Sequence, residues 1–344
     1  MKAVGYKTPG PITDAESLVD IELPEPTPTG RDILVEVKAV SVNPVDYKVR
    51  RGTPAPDDGW KVLGWDAAGV VRATGPDATI FKPGDAVFYA GSITRPGTNA
   101  ELHLVDERIV GRKPASLDWA EAAALPLTSL TAWESLFDRL DVTGRPVPGA
   151  ARAIVIIGGA GGVGSIAIQI ARQRTDLTVI ATASRPETRE WVRSLGAHHV
   201  LDHARPLAAQ VAELGLGAPA FVFSTTHTDN HAGEIAEMIA PQGRFGLIDN
   251  PERFDAMIFK RKAVSIHHEL MFTRPIYQTP DMDEQGKILN AVSRLVDEGG
   301  IRTTLTQRLS PINAANLKQA HAQLESGAAK GKIVLEGFQA TPGG

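Results

Sequence analysis

The 344-residue sequence predicts an α/β protein in two parts, a doubly wound parallel sheet and a β-rich domain. Three observations carry this reading. A β-branched run, Ala153-Ile-Val-Ile-Ile157, enters a glycine-rich turn, and an apolar helical pattern leaves it. Strand and helix patterns then alternate from about 126 to 265. Residues 1 to about 125 read instead as short strands punctuated by Gly and Pro.

In chain order, Met1-Lys2-Ala3-Val4-Gly5 is already strand-like. Leu23 to Gly30, with three prolines, is a stiff connection without regular structure. Ile33–Val42, Ala67–Thr74 and Asp85–Ala90 read as strands, and Phe81-Lys-Pro-Gly-Asp85 as a turn. Leu117, Ala120, Ala124, Leu127, Leu130, Trp133, Leu136 and Phe137 recur at helical spacing, so 117–140 reads as helical. Strands are expected at 153–157, 177–183, 198–201, 220–224 and 243–248, with helices at 163–173, 186–195, 205–213 and 230–240. The helix through Thr188 and Trp191 ends on a C-capping Gly196. Beyond 265 the pattern is mixed, with helices near 283–298 and 313–326 and a final strand over Lys330–Glu336. No internal repeat is present, and the tail from Gln339 to Gly344 is expected to be loose.

Gly159, Gly161 and Gly164 satisfy G-x-G-x-x-G between a strand and a helix, the context in which this motif marks a dinucleotide site. The first glycine is expected to permit the tight turn, the second to let a pyrophosphate approach, and the third to pack helix on strand. Gly162, Val163 and Gly164 would present N–H groups to the phosphate charge at the helix start. The next strand pattern ends in Ala183-Ser184-Arg185, with Arg189 following, where an NAD-binding chain places a carboxylate. A guanidinium fork and a hydroxyl suit a 2′-phosphate, so the expected cofactor is NADP(H), held by Ser184, Arg185 and Arg189. The alternative is that both arginines are solvated helix-face charges.

The chain is 42% hydrophobic with net charge −4, so no basic field points to nucleic acid, and no apolar run approaches membrane-spanning length. With no signal-peptide pattern at Met1, a cytoplasmic location is expected. There is no cysteine, which excludes disulfides, thiolate catalysis and cysteine zinc sites.

Several segments together resemble the medium-chain dehydrogenase/reductase superfamily, most of all its zinc-free quinone oxidoreductase branch. They are Ser41-Val-Asn43-Pro-Val-Asp46-Tyr47, Leu63-Gly64-Trp65-Asp66, Pro83-Gly84-Asp85, Ala124-Leu-Pro126-Leu-Thr128, the glycine motif and Gly331-Lys332-Ile-Val-Leu335. His267-His268-Glu269-Leu-Met271-Phe272 is similar to a subgroup labelled as zinc-binding alcohol dehydrogenases. That label conflicts with the residues. Zinc-dependent members place Cys where Asn43 stands and Gly-His-Glu where Gly64-Trp65-Asp66 stands, and no cysteine-rich zinc lobe follows Phe88. A residual site from Asp46, Asp66 and a histidine would lack soft ligands, so no metal is expected, and His103 and His267 read as structural or solvated.

The resemblance implies a GroES-like barrel-type domain from 1–125 and 266–344, a Rossmann domain at 126–265, an active cleft where they meet, and a homodimer. It also places Thr128 on the nicotinamide side, Thr225 and Ile248 at ligand-binding strand ends, and Lys332 close to the nicotinamide. Without zinc, hydride transfer to a quinone or enone needs positioning and hydrogen-bond donation only. Asn43 and Tyr47 are the expected donors and Trp65 a wall of the pocket. Against this, Asn43-Pro44 could be only a turn, and Tyr47 and Trp65 core residues. Two other functions stay open, an alcohol dehydrogenase and a non-catalytic NADPH-binding sensor.

Overall fold

The computed structural model describes residues 1–57 and 59–338, so the tail from Gln339 lies outside the described residues. The chain divides into two units, one from Met1–Leu127 with the segment starting at Phe272, the other Thr128–Met271.

The first unit is built on a seven-stranded sheet in the order Leu305–Leu309, Lys332–Glu336, Asp32–Ser41, Ala67–Thr74, Ala86–Tyr89, Val110–Arg112, with Leu102–Asp106 paired to Asp32–Ser41. Asp32–Ser41 alternates buried and half-buried side chains, which pins its register. Val334 pairs with Ser41 and Leu335 with Val40, so the C-terminal segment completes the N-terminal sheet. Lys332 enters that sheet through Gly331, whose φ of 57° and closeness to the Thr304 carbonyl leave no room for a Cβ. A smaller sheet joins Val19–Glu22, Lys2–Tyr6 and Lys61–Val62.

The second unit is a six-stranded parallel sheet. Its order is His199–Leu201, Thr178–Thr182, Ala151–Ile157, Pro219–Ser224, Arg244–Leu247, Ser265–His268. The central strand is apolar and buried along Ala153–Ile157 because helices cover both faces of such a sheet. Val155, Ile157, Val222, Ile235 and Phe245 form the middle of its core. Ser265–His268, assigned from sequence to the mixed segment of the other domain, is the sixth strand here. Its four residues are polar or half-exposed, as an edge strand allows, so no apolar signal marks them.

The stretch 117–140, read from sequence as helical throughout, is three pieces: Trp119–Ala123, Pro126–Trp133 and a π-helical turn Glu134–Arg139. Pro126 opens the second piece, where its missing N–H costs nothing. Among the described residues, no helix is long and apolar enough to cross a membrane.

Candidate active site

In the second unit the glycine turn leads from Ala151–Ile157 into the helix Gly162–Arg174, with Gly161 as N-cap. The turn conformation falls on Gly158 (φ 78°), one residue before the motif, and not on Gly159 as the motif suggested. A Cβ on Gly159 would come 2.9 Å from Ala181 Cβ, so this glycine serves packing between strands. On Gly164 a Cβ would sit 2.3 Å from the Gly158 carbonyl, which enforces the close approach of helix to turn. Gly161 differs: its φ is −71°, and a Cβ there would meet only the Gly158 oxygen at 3.5 Å. Nothing in the chain demands glycine there, and what a side chain would fill is open space beside the first N–H groups of the helix. Gly162 and Val163 are half-exposed in that first turn. The turn therefore fits the pyrophosphate of a dinucleotide.

Ser184 and Arg185 follow the strand Thr178–Thr182, Arg185 as N-cap of Pro186–Ser194 with its Nε 3.1 Å from Glu187 Oε1. Arg189 takes a different part from the one expected. Its guanidinium donates to the carbonyls of Ala183 (3.3 Å) and Val200 (3.4 Å), tying two strand ends together. Thr225 donates to the Ile157 carbonyl at 2.9 Å, and Ile248 is half-exposed after Arg244–Leu247. Thr128 is buried in Pro126–Trp133.

In the first unit, Asn43, Asp46, Asp66 and Lys332 form one buried cluster, each at most 3% exposed. Asn43 caps the helix Pro44–Gly52, and its own N–H donates to Asp46 Oδ2 at 2.7 Å. Gly64 N–H donates to Asp46 Oδ1 (2.9 Å) and Leu127 N–H to Asp66 Oδ1 (2.8 Å). The Lys332 ammonium donates to the Val42 carbonyl and Asp66 Oδ2, both at 3.0 Å, and to Asn43 Oδ1. Burial pushes the Asp46 carboxyl up to about 7, against the pull of two backbone donors and Lys332; burial likewise raises Asp66.

This geometry bears on two expectations. Asn43 uses its amide on Ser41 O (3.3 Å) and Asp66 Oδ2 (3.0 Å), so it orients the cluster instead of offering a donor to a substrate. Lys332, expected at the nicotinamide, directs its three donors to acceptors within its own unit. The cluster does not fit zinc. An ammonium stands between its oxygen donors, it holds neither thiol nor imidazole, and His103 is engaged elsewhere, by Tyr89 Oη (3.1 Å) and the Pro96 carbonyl (2.9 Å). No set of three metal-ligating side chains occurs among the described residues.

Tyr47 lies one helical turn after Asn43, half-buried, and its hydroxyl has no hydrogen-bond partner among the described residues. Burial, then the Glu325 carboxylate, raises its phenol above the usual range. The helix carrying it is fixed at its far end by Tyr6 Oη, which donates to the Thr53 carbonyl at 2.7 Å, and by an Arg50–Glu325 ion pair. Trp65 is in the core, 1% exposed, donating to the Ser92 carbonyl at 3.1 Å and meeting Phe272 edge-on. The sequence reading missed the joint role of Asp66 and Lys332, which only the paired strands bring together.

Two family models match the chain, an alcohol dehydrogenase GroES-like domain over residues 29–115 and a zinc-binding dehydrogenase domain over 195–335. A zinc-type alcohol dehydrogenase-like protein of Staphylococcus aureus is 42% identical over 338 residues, covering 97% of this chain and 99% of that protein. The chain belongs to the medium-chain dehydrogenase/reductase superfamily. A crystal structure from Rhizobium etli, named for a zinc-dependent alcohol dehydrogenase protein, has 78% identity to this medium-chain dehydrogenase/reductase and a TM-score of 0.97, covering 99% of both chains. A chloroplast envelope quinone oxidoreductase homolog of Arabidopsis thaliana is 29% identical over 354 residues, 98% of each chain. This medium-chain dehydrogenase/reductase is an oxidoreductase, with a GroES-like domain and a Rossmann-type sheet.

Proposed function

We propose that this oxidoreductase transfers a hydride from NADPH to a quinone or an α,β-unsaturated carbonyl, without zinc. The observation that carries the reading is the buried Lys332 ammonium, 3.0 Å from Asp66 and bonded to Asn43, the residue that stands where the family resemblance puts a zinc-ligating cysteine. A site with a fixed ammonium and no Lewis acid is ill suited to activating an alcohol. It suffices for an acceptor that already delocalises charge onto oxygen.

The bound nicotinamide would supply the hydride. The turn Gly159–Gly164 and the helix behind it would hold the pyrophosphate, Ser184 and Arg185 the 2′-phosphate, and Thr128, Thr225 and Ile248 the remaining cofactor edges. Tyr47 would donate a hydrogen bond to the oxygen that gains charge, its phenol kept protonated at neutral pH by burial and Glu325. Asn43, Asp66 and Lys332 act as positioning residues, since they fix the start of the helix that carries Tyr47. Trp65 backs this part of the unit from the core. The working assembly is a homodimer formed along the edge strand Ser265–His268, to be checked by light scattering.

The test is oxidation of NADPH, against NADH, with a benzoquinone, a naphthoquinone, a linear enone and an aldehyde. Turnover of quinone or enone with NADPH, indifferent to a chelator, is expected. Tight NADPH binding with no turnover of any acceptor would move the weight to a sensor. Replacing Arg185 with Ala should weaken NADPH by about 10- to 100-fold, the worth of hydrogen bonds to a charged group, and leave NADH unchanged. Equal losses would remove the 2′-phosphate from the account.

A further inference from the structure

A cavity of about 130 Å³ opens in the first unit between the strand Leu102–Asp106 and the short helix Thr273–Tyr277. Apart from Ser92, the buried part of its lining is apolar. Val105, Ile109 and Met282 are at most 3% exposed, and Pro275 is buried with them. Leu104 and Ile276, both half-buried, extend this lining towards solvent. None of these residues belongs to the cluster around Lys332.

Two charged side chains reach the lining, and each already has its counter-ion. Arg95 holds Asp32 through both terminal nitrogens, at 2.8 and 2.9 Å, and Asp106 takes Arg108 through both oxygens, at 3.0 and 2.8 Å. The cavity therefore offers no unpaired charge, and a charged occupant would lose its hydration without gaining a partner. Hydrogen-bonding capacity does remain. The Ser92 and Thr94 hydroxyls pair at 2.9 Å, which uses one of their two protons and leaves the other to donate. Gln278 is exposed at the rim, and its amide has no hydrogen-bond partner among the described residues. It holds a left-handed φ of 46°, a conformation uncommon outside glycine, at the end of the helix Thr273–Tyr277.

Size and chemistry together select the occupant. A cavity of about 150 Å³ lined by aliphatic side chains takes up benzene, so this one matches a single six-membered ring. The thioether of Met282 favours an aromatic ring over a saturated one. The spare hydroxyl proton and the Gln278 amide suit one oxygen substituent, and the balanced charges require it to be neutral. The site is also tied to the rest of the unit. Trp65, the neighbour of Asp66, donates to the Ser92 carbonyl at 3.1 Å and meets Phe272, the residue before the helix Thr273–Tyr277.

The geometry points to a binding site in the first unit for a neutral, phenol-sized aromatic ring, with the ring against Met282 and its hydroxyl between Gln278 and the Ser92–Thr94 pair. The experiment is titration calorimetry of the full-length protein, free of cofactor, with phenol, cyclohexanol, benzoate and toluene. Phenol should bind with a Kd of about 1 mM or tighter. It should exceed cyclohexanol by about fivefold, the worth of a sulfur–aromatic contact, and benzoate by at least about tenfold. Ile276→Trp fills the cavity from a half-buried position and should abolish phenol binding. Gln278→Gly removes the amide where φ suits glycine, so the fold should hold, and should weaken phenol by about threefold to tenfold while toluene is unaffected. Thermal melts show that both variants are folded. Phenol no tighter than cyclohexanol, benzoate as tight as phenol, or an unchanged phenol affinity in either folded variant overturns the site.

Discussion

Lys332 is the residue on which most of the first unit's chemistry turns. A buried ammonium with three protein acceptors balances Asp66, and removing it leaves that carboxylate uncompensated in a low-dielectric site. Lys332→Met should cost about 3–5 kcal/mol in chemical denaturation, and adding Asp66→Asn should restore part of it. Tyr47→Phe removes only a hydroxyl without a partner in the fold, so stability should hold. Its turnover of quinone should fall by about 100-fold, the lower end for a positioned proton donor, with cofactor affinity unchanged. A variant as fast as the parent would place the donor elsewhere. Asn43 stood out in the sequence because the family resemblance puts a metal ligand at its position. Its actual partners did not, since Asp66 stands 23 residues away and Lys332 289 residues away, and only strand pairing joins them.

Local pattern was a good guide wherever an element has a strong period or a glycine signature. The turn after Ala151–Ile157 was readable because its glycines meet steric needs that leave a mark in sequence. Which glycine meets which need was not readable, because that depends on neighbours from other strands. Two substitutions separate fold from ligand here. Gly164→Ala would push a Cβ to 2.3 Å from the Gly158 carbonyl and should lower the melting temperature sharply. Gly161→Ala meets nothing closer than 3.5 Å and should melt near the parent, yet lose at least about tenfold in NADPH affinity by fluorescence titration. Equal damage to stability in both would mean that Gly161 is structural. Short polar elements were opaque: Ser265–His268 earns its place from hydrogen bonds to Arg244–Leu247, not from side-chain pattern. The π-turn Glu134–Arg139 was hidden as well, since it depends on the buried Glu269, which Arg139 meets at 2.8 Å.

For the whole molecule, buried ionisable groups set the dependence of stability on pH. Asp46, at about 7, and Glu269, raised to about 8 by burial and by Glu134 beside it, keep protons in the folded state that the unfolded chain has released. Stability from them is lost as pH rises through those values. His103, at about 4, and His321, at about 3, are lowered by burial and refuse protons that the unfolded chain takes up below 6.5. The two effects oppose each other between about 4.5 and 6.5, and above that only the carboxyls act. The melting temperature should be level across that window and decline from about pH 6.5 to about pH 8.5, with Glu269→Gln flattening the decline. A melting temperature that rises through that alkaline range would contradict these assignments. The central claim, an oxidoreductase that works without zinc, is tested most directly by one measurement. The rate of NADPH-dependent benzoquinone reduction is taken on protein dialysed against a chelator, with zinc quantified in the same sample. The account predicts an undiminished rate at far less than one zinc per chain. A rate that disappears on dialysis and returns with added zinc would contradict it.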